Sequence, residues 1–298
     1  MGRITARKRI VRIVVGESRM AREDVLAVEE PLEIRVAGSA LSITMRTPGH
    51  DFDLAAGFLV SEGVVSAGDQ LGAIRYCTGA TADGENTFNV LDVTLAHGVP
   101  LPDSSLERNF YMTSSCGLCG KASIDAVRTL SAHPPVDDPI AVTDKFLATL
   151  PDRLRDGQEV FEKTGGLHAA ALFDAESGRL LVLREDVGRH NAVDKVIGWA
   201  LTENILPLRG AVLMVSGRAS FELVQKASMA GIPILAAVSA PSSLAVDLAE
   251  ELGLTVIGFL RGNSMVVYTR TERVVSPPVV SEPAAAIPTV NQLKVLAG

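Results

Sequence analysis

Residues 211–229 read Ala211-Val-Leu-Met-Val-Ser-Gly-Arg-Ala-Ser-Phe-Glu-Leu-Val-Gln-Lys-Ala-Ser-Met229. The five leading apolar residues are typical of a strand that is buried on both faces of its sheet. A small polar loop follows, and then Phe221–Met229 has helical apolar spacing. Strand and helix alternate again in Ile234–Val238 and Leu244–Leu252, before a third strand at Thr255–Phe259. This alternation predicts an α/β fold in which helices cover both faces of a sheet.

The flanking sequence adds further elements. A hairpin is predicted by Leu167–Phe173 and Arg179–Leu183, which flank the turn sequence Asp174-Ala-Glu-Ser-Gly178. Ala192–Leu201 has helical spacing, and Met265–Thr269 predicts a last strand. Nearer the N-terminus the predicted strands are short and rich in Val, Ile and Thr, and one helix lies among them. These elements are the strands Ile10–Val15, Glu33–Val36, Leu41–Met45, Ile74–Tyr76 and Thr87–Leu95 and the helix Phe52–Ser61.

Prolines and polar runs divide the chain. Thr143 is expected to cap a short helix, and Pro151 is expected to end it. Four prolines in Val274–Pro288 oppose any regular element, which predicts an extended or disordered tail. The predicted parts are a smaller α+β N-terminal domain (1–110), a cysteine loop, helix and linker (111–140), the α/β domain (141–270) and the Pro-rich tail (271–298).

Composition limits the classes of function. The chain has 298 residues, of which 47% are hydrophobic and 21% charged, as in a folded globular protein. Its net charge of −7 argues against extensive binding to duplex nucleic acid. Three cysteines cannot form a disulfide framework, which favours a reducing cytoplasm. We also expect no membrane partner, because no run approaches the roughly 18 uncharged apolar residues of a spanning helix.

Two of the cysteines lie in the stretch Met112-Thr-Ser-Ser-Cys-Gly-Leu-Cys-Gly-Lys121. Gly117 and Gly120 allow tight turns around the thiols. A thiol just before the predicted helix Ala122–Leu130, with Lys121 beside it, loses its proton more readily than a free cysteine. The pattern favours a reactive sulfur site. Half of a zinc site and a simple packing role are the alternatives.

Three loops follow the α/β strands at their carboxyl ends: 216–220, 239–243 and 259–264. Ligands of α/β sheets gather at this edge. Two of the loops carry an arginine, Arg218 and Arg261, and arginine pairs with phosphate in a bidentate way. The loops therefore predict a site for a phosphate-bearing ligand, although short connections with N-cap serines have the same composition. No Walker sequence or strand-linked Gly-x-Gly-x-x-Gly is present to support triphosphate hydrolysis or hydride transfer.

One further segment, Glu185-Asp-Val-Gly-Arg-His-Asn-Ala-Val-Asp194, is dense in functional groups. Asp186 is expected to cap the helix that follows, while Arg189 and His190 are candidates for lining a site. His168 lies on an otherwise apolar predicted strand, where a hydrogen-bonded core histidine is the favoured interpretation.

Three more residues favour structural roles. His50 and Asp51 precede a predicted helix, so a capping and turn role is favoured over catalysis. Cys77 lies at a predicted strand end without metal-ligand spacing to a neighbour, and we expect it to be a buried small residue.

Six motifs of this chain, taken together and in order between Val25 and Thr269, resemble the formate dehydrogenase accessory sulfurtransferases, the FdhD family. Any one of them alone would be weak. The motifs are Thr47-Pro-Gly-His-Asp-Phe-Asp-Leu-Ala-Ala-Gly-Phe-Leu-Val-Ser-Glu-Gly63, Ser114-Ser-Cys-Gly-Leu-Cys-Gly-Lys121, Gly165-Gly-Leu-His168, Arg184-Glu-Asp-Val-Gly-Arg-His-Asn-Ala-Val-Asp-Lys195, Gly217-Arg-Ala-Ser-Phe-Glu222 and Gly258-Phe-Leu-Arg-Gly-Asn263.

The resemblance implies a cytoplasmic sulfur carrier. Such a protein takes sulfur from a cysteine desulfurase as a cysteine persulfide. It passes that sulfur to the molybdenum bis(molybdopterin guanine dinucleotide) cofactor before the cofactor enters formate dehydrogenase. By resemblance, Cys116 would carry the persulfide and Cys119 would assist or resolve the transfer. The resemblance also implies a homodimer and a cytidine-deaminase-like three-layer α/β/α larger domain. The residues implied to line the guanine dinucleotide pocket are Phe259, Leu260, Arg261, Gly262, Asn263 and Ser264.

Other functions remain to be weighed against sulfur transfer. Deaminase chemistry needs His-x-Glu followed by Pro-Cys-x-x-Cys, whereas His168 is followed by two alanines and the cysteine pair comes earlier in the chain. A non-catalytic chaperone for the molybdenum cofactor and a zinc-bridged structural protein stay open as alternatives.

Overall fold

The computed structural model describes residues 3–77, 88–102 and 131–276, which form a mixed α/β structure. No helix within these ranges is long and apolar enough to cross a membrane. The described helices are α1 (Asp51–Ser61), α2 (Asp144–Asp156), α3 (Glu159–Thr164), α4 (Arg189–Thr202), α5 (Phe221–Met229) and α6 (Ser243–Leu252). The described strands are β1 (Thr5–Val14), β2 (Ser18–Ala27), β3 (Glu30–Val36), β4 (Ser39–Arg46), β5 (Leu71–Tyr76), β6 (Val90–Leu95), β7 (Val142–Thr143), β8 (His168–Asp174), β9 (Leu180–Asp186), β10 (Ala211–Val215), β11 (Ile234–Ala237), β12 (Thr255–Arg261), β13 (Ser264–Val267) and β14 (Val274–Val275).

The larger sheet has the strand order β13-β12-β11-β10-β8-β9. The pairs β10–β11 and β11–β12 are parallel, and the other pairs are antiparallel. Successive β8 residues belong to opposite cores: Ala169 and Ala171 lie in the core that contains α2, whereas Ala170 and Leu172 lie in the core that contains α4, and β8 contacts both of these helices. The prediction that helices cover both faces of this sheet is therefore confirmed. Its likeness to cytidine deaminases stays a prediction.

The N-terminal strands form a second sheet, in the order β4-β3-β6-β5, and β1 and β2 form a separate hairpin. Helix α1 joins this region to the α/β sheet by packing against α4. The two helices meet at Gly57 and Gly198. A Cβ on Gly57 would lie 1.8 Å from the carbonyl oxygen of Asp194, and one on Gly198 would lie 1.8 Å from that of Asp53. Only glycine allows the backbones to approach this closely.

The structure corrects the predicted end of the helix after Thr143. Thr143 is the N-cap, since its hydroxyl accepts a hydrogen bond from the Phe146 N–H, but α2 continues past Pro151 to Asp156. Leu147, Leu150 and Leu154 are fully or almost fully buried against the sheet. Their packing outweighs the cost of about 3 kcal/mol that proline imposes inside a helix.

Besides the two-residue strands β7 and β14, one described strand and one described helix have no counterpart in the predictions. The strand β2 has no regular alternation of apolar and polar residues, since Arg22, Glu23 and Asp24 are consecutive, and it is fixed by its antiparallel pairing with β1. The short helix α3 has no buried residue, so it lacks the apolar stripe that marks a helix in sequence.

The chain after Arg270 is ordered further than predicted. Residues 271–273 form a 3-10 turn, and β14 pairs in parallel with β7. The buried guanidinium of Arg273 donates hydrogen bonds to backbone carbonyls that include those of Gly253 at 2.7 Å and Pro135 at 2.8 Å. Residues 271–275 are therefore ordered, with β14 extended, at the start of a tail that the sequence predicts to be extended or disordered. The rest of the tail, and the predicted helix 122–130, lie outside the described residues, and the domain boundaries stay a prediction.

The glycine contact between α1 and α4 gives a test of this architecture. Replacing Gly198 with alanine places a methyl group against backbone that cannot rotate away, so we expect the free energy of unfolding to fall by at least about 2 kcal/mol. Urea unfolding followed by circular dichroism measures the change. The matched control is Gly166→Ala, because the nearest atoms to a Cβ there are 3.9 Å away. Equal effects of the two substitutions would contradict the predicted close contact.

Candidate functional site

The three predicted loops lie side by side at one edge of the larger sheet. The carbonyl of Gly217 accepts a hydrogen bond from the N–H of Ser239 at 3.3 Å, and the carbonyl of Ser239 accepts one from the N–H of Phe259 at 3.2 Å. Ala219 also forms an isolated bridge with Pro241. This juxtaposition follows from the parallel order of β10, β11 and β12, whose carboxyl ends meet at the same edge.

Both loop arginines are available to a ligand. Arg218 and Arg261 are exposed, and neither forms an ion pair with any residue in the described ranges. The Arg261 guanidinium lies 5.9 Å from the centre of the Phe259 ring. The edge therefore presents two uncompensated positive charges and one partly exposed aromatic ring, which suits an anion attached to a flat group.

The predicted loop 259–264 is largely a hairpin. Phe259 and Arg261 belong to β12, Ser264 begins β13 and pairs with Arg261, and residues 262–263 form the turn. Phe259 has a φ of 51°, which is uncommon for an aromatic residue, and its side chain is 36% exposed. The side chain of Leu260, by contrast, is buried in the core with α2. The whole Leu260 residue is 0% exposed, so the structure places it in the core rather than on the exposed edge.

Asp186 is the centre of a buried polar network. Its Oδ1 accepts hydrogen bonds from the Gly188 N–H at 2.8 Å and the Asn191 side-chain amide at 3.1 Å. Its Oδ2 accepts one from the Thr47 N–H at 3.1 Å and lies 2.7 Å from Nζ of Lys195. Asp186 thus holds the turn before α4, but the predicted cap is not found, since the N-cap residue is Gly188 and no side chain makes a capping hydrogen bond. Asp186 also ties the N-terminal region to the α/β domain, which was not predicted.

Lys195 and Thr47 are the members of this network that the pattern of the sequence did not single out. The ammonium group of Lys195 also donates to the Thr47 carbonyl at 2.9 Å. A signal was available, because Lys195 lies on a predicted helix, 192–201, whose residues are apolar apart from Asp194 and Lys195. Such a lysine needs a buried acid.

His190 faces the start of α5. Its Nε2 lies 3.4 Å from the Ser220 hydroxyl oxygen and 3.6 Å from a carboxylate oxygen of Glu222. The hydrogen bond with His190 lowers the pKa of Glu222 to about 2, against the opposing effect of burial. In a serine–histidine–acid catalytic triad, the serine and the acid contact different nitrogens of the histidine ring. Here Ser220 and Glu222 approach the same ring nitrogen, so the three residues do not form such a triad.

Arg189 and His168 lie beside the first loop. A Cβ on Gly217 would be 3.4 Å from His168 Nδ1 and 3.9 Å from Arg189 Cδ. The imidazole of His168 forms no hydrogen bond with any described residue, and the half-buried residue lines a cavity of about 530 Å³ rather than packing as the expected hydrogen-bonded core histidine. Its pKa is lowered, first by burial and then by the charges of Arg189 and His190. The imidazole is therefore neutral near pH 7.

The remaining predicted residues are placed elsewhere. Asp51 is buried in an ion pair with Arg46 at 2.9 Å and accepts a hydrogen bond from Tyr76, so it is neither a cap nor a catalytic acid. His50 is the N-cap residue of α1, but its side chain makes no capping hydrogen bond. Cys77 is a free, half-buried cysteine, less buried than expected.

Cys116 and Cys119 lie outside the described residues, and their roles stay predictions. Among the residues that the structure does describe, no group of three or more His, Cys, Asp or Glu side chains could hold a metal ion. A zinc site that involves the cysteine stretch is not tested by that finding.

The Asp186–Lys195 pair predicts a large effect of removing one partner. Lys195→Met leaves a carboxylate buried without its counter-charge, so we expect the free energy of unfolding to fall by about 3–5 kcal/mol. Chemical denaturation measures the loss. The matched control is Glu23→Gln, which breaks the ion pair between Glu23 and Arg7. Both of these side chains are exposed, Arg7 by 77% and Glu23 by 70%. That control should change stability by less than about 0.5 kcal/mol. A small loss in Lys195→Met would refute the predicted importance of the buried pair.

The lowered pKa of Glu222 predicts that the stability of the fold depends on pH. An acid whose folded pKa is lowered stabilises the fold fully above its ordinary pKa, here 4.5, and loses that contribution as the pH falls toward 2. At pH 6 we expect the free energy of unfolding of wild type to exceed that of Glu222→Gln by less than about 1 kcal/mol. The difference is small because the Glu222 side chain is 44% exposed and screened by solvent. The difference, measured by denaturation with Glu17→Gln as control, should shrink below pH 4.5. A constant difference would contradict the assignment.

Comparison with known proteins places the chain in a family. A sequence model described as the FdhD/NarQ family matches residues 27–275. The protein "Sulfur carrier protein FdhD" of Mycolicibacterium paratuberculosis is 60% identical over 271 residues, which are 91% of this chain and 99% of the relative. The protein of the same description from Streptomyces coelicolor is 64% identical over 275 residues, which are 92% of this chain and 97% of the relative.

A solved structure shares the fold. The crystal structure of a putative formate dehydrogenase accessory protein from Desulfotalea psychrophila superposes with a TM-score of 0.71 at 23% identity, over 92% of this chain and 100% of that one. The extent of the family match and the identity to its relatives lead to one conclusion: this chain belongs to the FdhD/NarQ family.

Proposed function

We propose that this protein is a sulfur carrier that serves the maturation of formate dehydrogenase. It accepts sulfur from a cysteine desulfurase as a persulfide on Cys116. It delivers that sulfur to the molybdenum bis(molybdopterin guanine dinucleotide) cofactor. The observation that carries the proposal is the match to the sulfur carrier proteins over 91% or more of the chain, which includes the cysteine stretch 112–121. Cytoplasmic location and a homodimeric state belong to the same proposal.

The chemistry balances as a pair of thiol exchanges. In loading, the Cys116 thiolate attacks the outer sulfur of the desulfurase persulfide; the donor S–S bond breaks and the donor cysteine leaves as a thiolate. In delivery, the Cys119 thiolate attacks the inner sulfur of Cys116, and the outer sulfur leaves as hydrosulfide, which becomes the sulfur ligand of the acceptor. The product is a Cys116–Cys119 disulfide, which a cellular dithiol reductant returns to two thiols before the next cycle.

The acceptor is a large anion, and the loop edge suits it. Arg218 and Arg261 are exposed and unpaired among the described residues, and they lie on neighbouring loops, so they could bind the diphosphate groups of the cofactor. Phe259 offers a flat surface beside Arg261. In this proposal the pocket-lining role of residues 259–264 falls to Phe259 and residues 261–264, which are exposed, while Leu260 packs in the core beneath them.

Chain length allows a thiol to reach this edge. The Ser131 hydroxyl donates to the carbonyl of Ser228 at the C-terminal end of α5, whereas the Arg218 loop precedes the N-terminal end of the same helix. A helix of this length, nine residues, spans about 14 Å. If residues 122–130 form the predicted helix, the 15 peptide units between Cys116 and Ser131 can still span as much as about 30 Å.

Loading of the persulfide tests the donor half of the proposal. Purified protein is incubated with a cysteine desulfurase and cysteine, and intact mass spectrometry detects one added sulfur atom. We expect Cys116→Ala to abolish this addition, because the accepting thiolate is gone. Cys77→Ala is the matched control and should load normally.

Two outcomes would overturn the proposal in different ways. A Cys116→Ala protein that still acquires a transferable sulfur would remove Cys116 as the carrier. A double variant of Cys116 and Cys119 that still supports a fully active dehydrogenase would favour a cofactor chaperone, and stoichiometric zinc in the purified protein would favour the structural alternative.

A further inference from the structure

Strands β1 and β2 form an arm, residues 5–27, that extends from the N-terminal region. The two strands pair with each other and with no other described strand. Each has ten residues, so the arm is about 33 Å long. Its base is anchored by contacts between β2 and α3, but residues 11–23 are all exposed. A two-stranded hairpin is only marginally stable in water unless a further surface packs against it.

The outer half of the arm exposes large apolar side chains on both of its faces. Val11 and Ile13 lie on one face, whereas Val14 and Met20 lie on the other. This follows because successive residues of a strand alternate between faces and Met20 pairs opposite Arg12. The exposed fraction reaches 60% for Ile13 and 62% for Met20. Exposed apolar side chains that cluster in this way are typical of a contact surface.

The arm is also basic, although the chain as a whole is acidic. It contains six lysines or arginines and three acids, whereas the whole chain has a net charge of −7. Within the arm, Arg7 pairs with Glu23 and Arg22 pairs with Asp24. The other four basic residues form no ion pair with any residue that the structure describes: Lys8, Arg9, Arg12 and Arg19. A surface that binds the arm should therefore be acidic.

An acidic groove of about 670 Å³ lies between β4 and the helices α1, α4 and α5. Four carboxylates line it, and the basic side chains among its described lining residues are Lys226 and His190. Lys226 pairs with Asp194 at 2.8 Å, and His190 lies 3.6 Å from Glu222. Both basic groups thus already face an acid, and two further carboxylates remain.

Those two carboxylates belong to Glu29 and Glu62. Neither forms an ion pair with any residue in the described ranges. Burial raises the pKa of Glu62, and the nearby charge of Lys226 offsets this rise only in part. A cation that entered the groove would favour the ionised carboxylate, so the groove has the charge that complements the arm.

One wall of the groove is the free edge of a sheet. The outermost strand is β4, and its exposed residue Ile43 lines the groove. Glu33, which pairs opposite Ile43, donates its N–H to the carbonyl of Asn89, on the β6 side, at 2.8 Å. In an antiparallel pair, the backbone groups of opposite residues point either toward each other or away from each other. The N–H and C=O of Ile43 therefore point away from β3, where an extended segment can pair with them.

We propose that two copies of this chain exchange arms, so that the arm of each copy lies in the acidic groove of the other. The arm adds a strand beside Ile43, and its unpaired basic residues face the carboxylates of the groove. The arm does not occupy the groove of its own chain, because residues 11–23 are exposed. The exchange is reciprocal under two-fold symmetry, so each dimer contains two such contacts.

The inference rests on the proposed function, which includes a homodimer, and it names the surfaces that join the two copies. The base of the arm lies beside the proposed acceptor site. A Cβ on Gly166, which lines the cavity at His168, would lie 3.9 Å from the Cβ of Ala27 at the end of β2. Binding of the arm by the second copy therefore restrains the chain next to that site.

An exchange of charge between arm and groove tests the proposal. The arm variant carries Arg9→Glu and Arg12→Glu, and the groove variant carries Glu29→Lys and Glu222→Lys. Glu222 replaces the half-buried Glu62 here because its side chain is 44% exposed and leaves room for a lysine. Analytical ultracentrifugation of the full-length proteins measures the dissociation constant of the dimer. Each variant alone should raise that constant about tenfold or more, because like charges then face each other.

An equimolar mixture of the arm variant and the groove variant should form a dimer again. In the mixed dimer each arm meets a groove of opposite charge, so general damage to the fold cannot produce this recovery. The matched control carries Glu176→Lys and Glu251→Lys, which change exposed acids outside the groove and should leave the constant unchanged. Hydrogen exchange gives a second measurement, because the N–H of Ile43 should exchange more slowly in the dimer than in the diluted monomer.

Three results would overturn the inference. They are a wild type that stays monomeric at micromolar concentration, a wild-type dimer that neither variant weakens, and variants that do not recover in the mixture. A monomeric wild type that binds the dehydrogenase through its arm would assign the arm to that enzyme instead. Persulfide loading of Cys116 is measured on the same samples. Failure of wild type to load counts against the sulfur carrier, whereas loading without exchange of arms counts against this inference and leaves sulfur transfer standing.

Discussion

The fully buried carboxylate of Asp186 holds the two parts of this protein in register. It receives hydrogen bonds from Thr47 in the N-terminal region and from Gly188 and Asn191 at the start of α4, and it pairs with the ammonium group of Lys195. With four partners, the charge is compensated although no water reaches it. Because the network fixes the turn before α4, it sets where Arg189 and His190 stand relative to the first loop.

The site that results separates charged from neutral groups. The outer rim carries the exposed guanidinium groups of Arg218 and Arg261, which face no acid among the described residues. Behind the rim, the cavity at His168 is lined mainly by apolar side chains. The anionic groups of the proposed acceptor therefore find their partners at the rim and not in the cavity.

The alternation of apolar strands and helices predicted much of the α/β region. The three loops lie together as expected, because the carboxyl ends of the parallel strands meet at one edge of the sheet. The sequence pattern gave wrong or missing predictions where contacts between distant parts of the chain determine the secondary structure. The core packing of α2 overrides Pro151, and the strand β2 exists through its pairing with β1. Leu260 belongs to a motif, yet its side chain faces the core.

The claim that most needs testing is that sulfur bound at Cys116 moves on to a ligand held at the loop edge. The direct measurement is to load the protein with radiolabelled sulfur, remove the desulfurase, add formate dehydrogenase that carries cofactor lacking its sulfur ligand, and count the label in the extracted cofactor. The account predicts that the label moves from wild-type protein into the cofactor, and that a variant in which both Arg218 and Arg261 are alanine retains it. Label that stays on the wild-type protein while the dehydrogenase becomes active would contradict the account.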